Sequence, residues 1–384
     1  MLPETTLDLS GERLTVIYRL VGDQEEVKRK AQDICVEQTI EFPLELVPDD
    51  DIRGKIVGQI ETLEGLDNGS YEAAISFPIE IVGADFVQLL NLVFGNISIK
   101  PGIRLERFCL PDRLLALFTG PRFGRQGWRE RLGVPNRPLL CTALKPLGLS
   151  NQTMADLAYR FALGGIDIIK DDHSIADQGF SPYRERLEQC VTAVERANRE
   201  TGYRCVYVPN ITASADHLVD RAHLAKRCGA GAVLVSPGLI GFDTMRRLSA
   251  DDRLSLPIMS HPAFLGSFVV SPGNGISHQA LLGQICRLAG ADATIYPNYG
   301  GRFSFNREEC HSIVEGASAP MGSIKPIFPT PGGGMSMDRV PSMIDLYGQE
   351  AIFLIGGDLH RRGPDLVESC QYFRKLVEGM VPPV

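Results

Sequence analysis

Short apolar runs recur through the last two-thirds of this 384-residue chain, at residues 138–146, 165–172, 205–211, 231–237, 256–261, 292–297, 324–329 and 352–357, and each is followed by a helical stretch. Continuous apolar runs of this length read as strands buried on both faces. Eight βα units of about 25 to 35 residues favour a closed parallel (β/α)8 barrel over an open doubly wound sheet. The first part of the chain alternates differently. Strands are predicted over 13–21, 54–63, 71–82 and 102–110, and helices over 23–39 and 85–94, an order βαββαβ that defines the ferredoxin-like split unit. Residues 119–137 are rich in Gly, Pro and Arg with little apolar periodicity and read as a connection. The expected fold class is α/β: a ferredoxin-like α+β domain over 1–118, a linker over 119–137 and a C-terminal TIM barrel over 138–384.

Composition narrows the partners. Thirty-nine Lys and Arg against 47 Asp and Glu give a net charge of -8, which argues against nucleic acid or an anionic membrane. Nine scattered cysteines without a Cys-x-x-Cys spacing suit free thiols in a reducing compartment. No apolar run approaches the ~20 residues of a membrane span. The start Met1-Leu-Pro-Glu-Thr lacks a basic-then-apolar signal. A cytoplasmic protein is expected.

Candidate chemistry concentrates where the predicted strands end, which is where barrels place their sites. Gly164 to His173 reads Gly-Gly-Ile-Asp-Ile-Ile-Lys-Asp-Asp-His, an apolar strand closing on Lys170, Asp171, Asp172 and His173. Such a cluster at the edge of a core is costly unless paired, metallated or functional, and the plain alternative is an ion pair. Lys145, Asn210, Ser236 and His261 stand at other strand ends, with the glycines 332–334 and 356–357 after the last two. Glycine loops there suit a phosphate held by backbone N–H groups; the alternative is tight turns. Lys170, Asp172 and His173 are a candidate divalent-cation site, although a lysine ammonium ligates nothing until it is deprotonated or converted to a carboxylate-like group.

These residues carry a resemblance. Val93-Phe94-Gly95, Thr119-Gly-Pro, Arg137-Pro-Leu, Lys145-Pro, Leu147-Gly-Leu-Ser, Gly164-Gly-Ile-Asp with Lys170-Asp-Asp, Gly333-Gly334 and Gly356-Gly357 resemble, in order, the large subunit of ribulose bisphosphate carboxylase. The likeness is nearer to its non-carboxylating relatives, the RuBisCO-like proteins of form IV, in their non-photosynthetic branch. The resemblance implies that Lys170 takes up CO2 as a carbamate and, with Asp172, holds Mg2+. His173 stands where the carboxylase has a glutamate, which favours Mn2+ or another divalent ion, or an empty site. It also implies a proton-transfer role for Lys145, a polar or acid–base role for His261 and, through Glu37, a homodimer with active sites shared between subunits. The plain reading of His261 is a satisfied core histidine.

Departures from the carboxylase matter as much. Its second phosphate depends on an arginine, a histidine and a serine, which here match Pro262, Ile295 or Tyr296, and Gly332. The first phosphate site keeps Gly333, Gly334, Gly356 and Gly357, and Arg302 replaces the mobile-loop lysine. Leu92 stands in place of an assisting asparagine, with Asn91 adjacent. Fixation of CO2 is therefore not expected. The resemblance implies metal-assisted enolisation or isomerisation of a monophosphorylated ketose such as a 5-methylthioribulose 1-phosphate-like sugar. The alternatives are decarboxylation, transcarboxylation or hydrolysis of a branched 3-oxo acid phosphate of the 3-oxo-isoapionate 4-phosphate type, or non-catalytic binding of a phosphometabolite. Phe264, Leu265, Phe268 and Val269 read either as a lining for an apolar substrate tail or as loop packing.

Overall fold

The computed structural model describes residues 7–380, so the segment Met1–Thr5 read above for a signal lies outside the described residues. In chain order the strands are β1 (Arg13–Leu20), β2 (Gln59–Gly65), β3 (Tyr71–Pro78), β4 (Ile103–Cys109), β5 (Leu139–Leu144), β6 (Ile168–Asp171) and β7 (Val206–Val208). They continue with β8 (Val233–Val235), β9 (Ile258–Ser260), β10 (Gly275–Ile276), β11 (Ala293–Pro297), β12 (Phe328–Gly332) and β13 (Ile352–Leu354). Contacts divide the chain into two units. One holds Met1–Phe118, Leu265–Gln284 and Pro320–Ile324, and the other holds Thr119–Phe264, Ile285–Ala319 and Lys325–Val384.

The first unit contains the βαββαβ order, with α1 (Gln24–Glu37) and α2 (Phe86–Phe94) as its helices. Each helix starts where the sequence supplies a cap: Asp23 accepts the Glu26 N–H and Asp85 the Val87 N–H, both at 2.8 Å. The sheet order is β10-β4-β1-β3-β2, antiparallel except for β10 beside β4. Two expectations shift. The strand expected from residue 54 starts only at Gln59, because Ile52–Ile56 closes into a helical turn after Asp49 accepts the Asp51 N–H at 2.7 Å. The strand β10 comes from residues expected to belong wholly to the barrel.

The second unit is the barrel. Parallel ladders join β13-β5-β6-β7 and β8-β9-β11-β12, and a single bridge, Asn210 to Leu234, links the two sets on one side. On the other side β12 packs beside β13, where a Cβ added to Gly332 would come within 2.8 Å of the Leu354 side chain. Leu139, Cys141, Ile168, Val208, Leu234, Met259, Ala293, Ile295, Phe328 and Ile352 fill the interior.

Residues 119–137 are more than a connection. They contain the helix Gly124–Leu132, whose Trp128, Leu132 and Val134 join the barrel's own core. The helix is polar overall, so its apolar periodicity is weak, yet Trp128 is completely buried. Asp292 fastens the start of this helix by accepting the Phe123 and Gly124 N–H groups at 2.8 and 2.6 Å, and it takes the Ile258 N–H at 2.9 Å as well. Among the described residues no helix is long and apolar enough to cross a membrane.

Candidate active site

Alternation along a strand decides which side chains reach the barrel mouth. Cys141 and Ile168 face the interior, so two-residue steps carry Lys145 beyond β5, and Lys170 and Asp172 along β6, to the same inner rim. Asp171 is one residue out of step and faces the helix Tyr183–Thr201. There its carboxylate accepts the Tyr207 hydroxyl at 2.6 Å, the Asn210 N–H at 3.0 Å and the Arg186 Nε–H at 3.4 Å. Burial pushes the Asp171 carboxyl up, against the opposing pull of Arg186 and these donors. The two faces of one short strand thus have different tasks.

On the inner face, Lys170 is almost fully buried and its Nζ donates to the Asp171 carbonyl at 3.0 Å. Burial pulls the Lys170 amine below its usual value. Lys145 Nζ lies 3.2 Å from Asp172 Oδ1, and His173 Nδ1 lies 3.6 Å from the same oxygen. Burial alone would raise the Asp172 carboxyl, but Lys170 and Lys145 outweigh it and hold it below its ordinary value. The His261 ring stacks on that of His173, with centroids 4.9 Å apart and planes inclined by 9°. Its Nδ1 accepts the Ala263 N–H at 3.2 Å, so a neutral ring carries its proton on Nε2. Burial first, then the positive charge of Lys170, pushes His261 well below the usual histidine value.

Asn210 holds this group together. Its amide donates to the carbonyls of His173 and Ile175 at 3.0 and 2.9 Å, fixing the turn that presents His173. Arg186 and Tyr207 were missed from the sequence. The signal was an arginine within the buried stripe Tyr183, Leu187, Cys190 and Val194 of its helix, where a charge needs a partner.

The glycine loops meet across the next strands. Gly333 and Gly334 have φ of +80° and +97°, which side chains rarely adopt. The Arg302 N–H donates to the Gly333 carbonyl at 3.2 Å, bringing Arg302, Gly333 and Gly334 together. The Arg302 guanidinium lies 5.3 Å from the centre of the Phe303 ring. Asp358 accepts the Met337 N–H at 2.8 Å and ties the loop after β12 to that after β13. A Cβ added to Gly356 would lie 4.0 Å from Lys145 Cε, so this glycine borders the lysine group, with Gly357 next in line. Glu37 belongs to the first unit, where it accepts from Asn96 at 3.1 Å and pairs with Lys100 at 3.4 Å. Leu92 is buried in that unit, as are Leu265 and Val269. The last two therefore pack as core, while Phe264 in the second unit is exposed.

Among the described residues no three His, Cys, Asp or Glu side chains gather closely enough to hold a metal ion. Asp172 and His173 offer one carboxylate and one imidazole. A third ligand arises only if Lys170 is converted to a carbamate.

A closed barrel with lysines, an aspartate and histidines converging on its strand ends, in a chain that also has a ferredoxin-like unit, defines a RuBisCO-type α/β protein. Residues 124–363 match the ribulose bisphosphate carboxylase large chain, catalytic domain. The chain is 37% identical over 369 residues to a 5-methylthioribulose-1-phosphate isomerase of Rhodospirillum rubrum, covering 96% of this chain and 97% of that one. It is 31% identical over 369 residues to a 2,3-diketo-5-methylthiopentyl-1-phosphate enolase of Bacillus pumilus, covering 94% and 90% of the two chains. The crystal structure of a Rubisco-like protein from Rhodopseudomonas palustris superimposes with a TM-score of 0.85 at 36% identity, covering 97% and 99%. The chain belongs to the ribulose bisphosphate carboxylase large-chain family, among its RuBisCO-like proteins.

Proposed function

We propose that this RuBisCO-like protein is an enzyme that enolises and isomerises a monophosphorylated ketose of the 5-methylthioribulose 1-phosphate type, without fixing CO2. The observation that carries the reading is the 3.2 Å contact of Lys145 with Asp172 beside buried Lys170 and the stacked His173 and His261. Similarity to the Rhodospirillum rubrum isomerase supports the substrate class. Arg302, Gly333, Gly334, Gly356 and Gly357 bind the single phosphate through backbone N–H groups and a guanidinium. At the positions of the carboxylase's second phosphate, Ile295 and Tyr296 are buried and Gly332 faces Leu354, so no cation stands there.

In this reading Lys145 takes the proton from the carbon next to the ketone and returns it to the neighbouring carbon, and Asp172 stabilises the ammonium formed in between. His261 donates its Nε2–H to a substrate oxygen. Burial lowers the pKa of the Lys170 amine, and the neutral amine adds CO2 with release of one proton to give an anionic carbamate. With Asp172 and His173 this group would hold Mg2+, or Mn2+, which the imidazole suits better. The ion, when bound, polarises the ketone oxygen. The protein acts as a cytoplasmic homodimer, with Glu37 contributing to the site of the partner subunit; nine free thiols support the compartment.

Non-catalytic binding of a phosphometabolite is the second reading, favoured by the two-ligand set of Asp172 and His173. Proton NMR in D2O with Mg2+, Mn2+ and bicarbonate, against a panel of monophosphorylated ketoses and 3-oxo acids, separates these. Deuterium entering next to the ketone, lost in Lys170→Ala, supports the isomerase. Release of CO2 from a branched 3-oxo acid selects the decarboxylase, and silence across the panel selects the binding protein.

A further inference from the structure

The opposite end of the barrel is lined with arginines, and most are held by hydrogen bonds. Arg122 bonds to the Ser249 carbonyl and Asp252, Arg125 to the Ile327 carbonyl and Ser318, Arg129 to Glu350 and three carbonyls, and Arg137 to Asp167. Arg131 and Arg204 differ. Neither makes a hydrogen bond or an ion pair among the described residues; Arg131 lies 5.6 Å from the Phe123 ring centre, and Arg204 packs against the position of Gly133, with its Nε 3.6 Å from an added Cβ. Both border a cavity of about 300 Å³ lined mainly by the helix Tyr183–Thr201 and residues 203–207, with Val191, Val194 and Val206 as apolar lining and Glu195 as its one carboxylate.

We propose that this cavity is a second ligand site, distinct from the rim site, for a small amphiphilic anion: a carboxylate or phosphate on an apolar body. A guanidinium fork matches either anion with two parallel hydrogen bonds, and the lining itself carries two guanidinium groups and one carboxylate. The volume lies at the lower end of small-molecule sites, ~300–1,000 Å³, and the valines provide the apolar contact such sites use. The positive charge of Arg131 is already partly desolvated, and burial lowers its pKa against the opposing pull of Asp292. An anion settling there replaces lost hydration. The two arginines belong to neighbouring elements, so an occupant bonded to both would also brace the helix that plugs the barrel floor.

The test is calorimetric titration of the full chain with phenyl phosphate, comparing wild type with Arg131→Gln, Arg204→Gln and, as a rim control, Arg302→Ala. Each substitution at the cavity is expected to weaken one binding event by about tenfold or more, the loss of a charge-assisted pair, while Arg302→Ala leaves that event intact. Reading the two glutamine variants separately guards against one of them misfolding. Absence of binding, or binding lost only in Arg302→Ala, overturns the proposal. The rim reading survives either result.

Discussion

Replacing Asp171 by Asn changes one oxygen for nitrogen and removes one buried charge. Both Asp171 and Arg186 have fully buried side chains, with charged atoms 3.4 Å apart. At an effective dielectric of ~20 that separation corresponds to about 5 kcal/mol of attraction. The remaining Arg186 keeps the Ser181 carbonyl and hydroxyl at 2.8 and 2.9 Å, which softens the loss. The expected penalty is thus about 3–5 kcal/mol, the range for a broken buried pair. Trp128 is the chain's single tryptophan and sits in the barrel floor, so its fluorescence during urea unfolding reports on the barrel. The expected result is an unfolding free energy lowered by that amount, read as an earlier urea midpoint at unchanged slope. A double variant with Arg186→Met should lose less than the sum of the single losses. A penalty under about 1 kcal/mol, as for an exposed pair, would refute the assignment of Asp171 as the anchor of β6.

Asn210→Ala removes both bonds to the His173 turn; we expect a loss of about 2–3 kcal/mol in urea unfolding and an Mn2+ affinity weaker by about 10–100-fold by electron paramagnetic resonance. Trp128→Ala empties the barrel floor and should cost about 3–5 kcal/mol, followed by circular dichroism because the fluorophore is gone. Mn2+ with bicarbonate should raise the melting temperature of wild type and not of Lys170→Ala. Asp251 is held well below its usual 3.8, first by its hydrogen bond to Arg253 and also by His223. A depressed carboxyl stabilises the fold above the unfolded value and loses that contribution as pH falls through the folded one. The stability gap between wild type and Asp251→Asn should therefore be open at neutral pH and narrow below 3.8; a gap that widens on acidification contradicts the pairing.

Most barrel strands were legible because each buried run is short, apolar and bounded, although the run expected over 324–329 forms a strand only over Phe328–Gly332; β6 stood out because it closes on Lys170 and Asp171, with Asp172 next. What the sequence concealed depends on partners far along the chain. Trp128 lies in a stretch crowded with arginine and glycine, and its neighbours become apolar only when the floor of the barrel closes over it. Similarly, Leu265 and Val269 follow the rim histidine closely, yet they serve the core of the other unit because β10 pairs with β4. The role of Asp171 was hidden by its neighbours: a charged run does not say which members look inward until the strand is pleated.

That pleat makes β6 a sorting device. Three consecutive residues are dealt alternately to the barrel mouth and to scaffold, so a slip of one position would send the anchoring carboxylate into the mouth and the buried lysine into the helix layer. Length and phase of this strand are consequently far less free to change than the identities of the groups on the loops beyond it. The loops can vary in sequence while the strand beneath them stays in register.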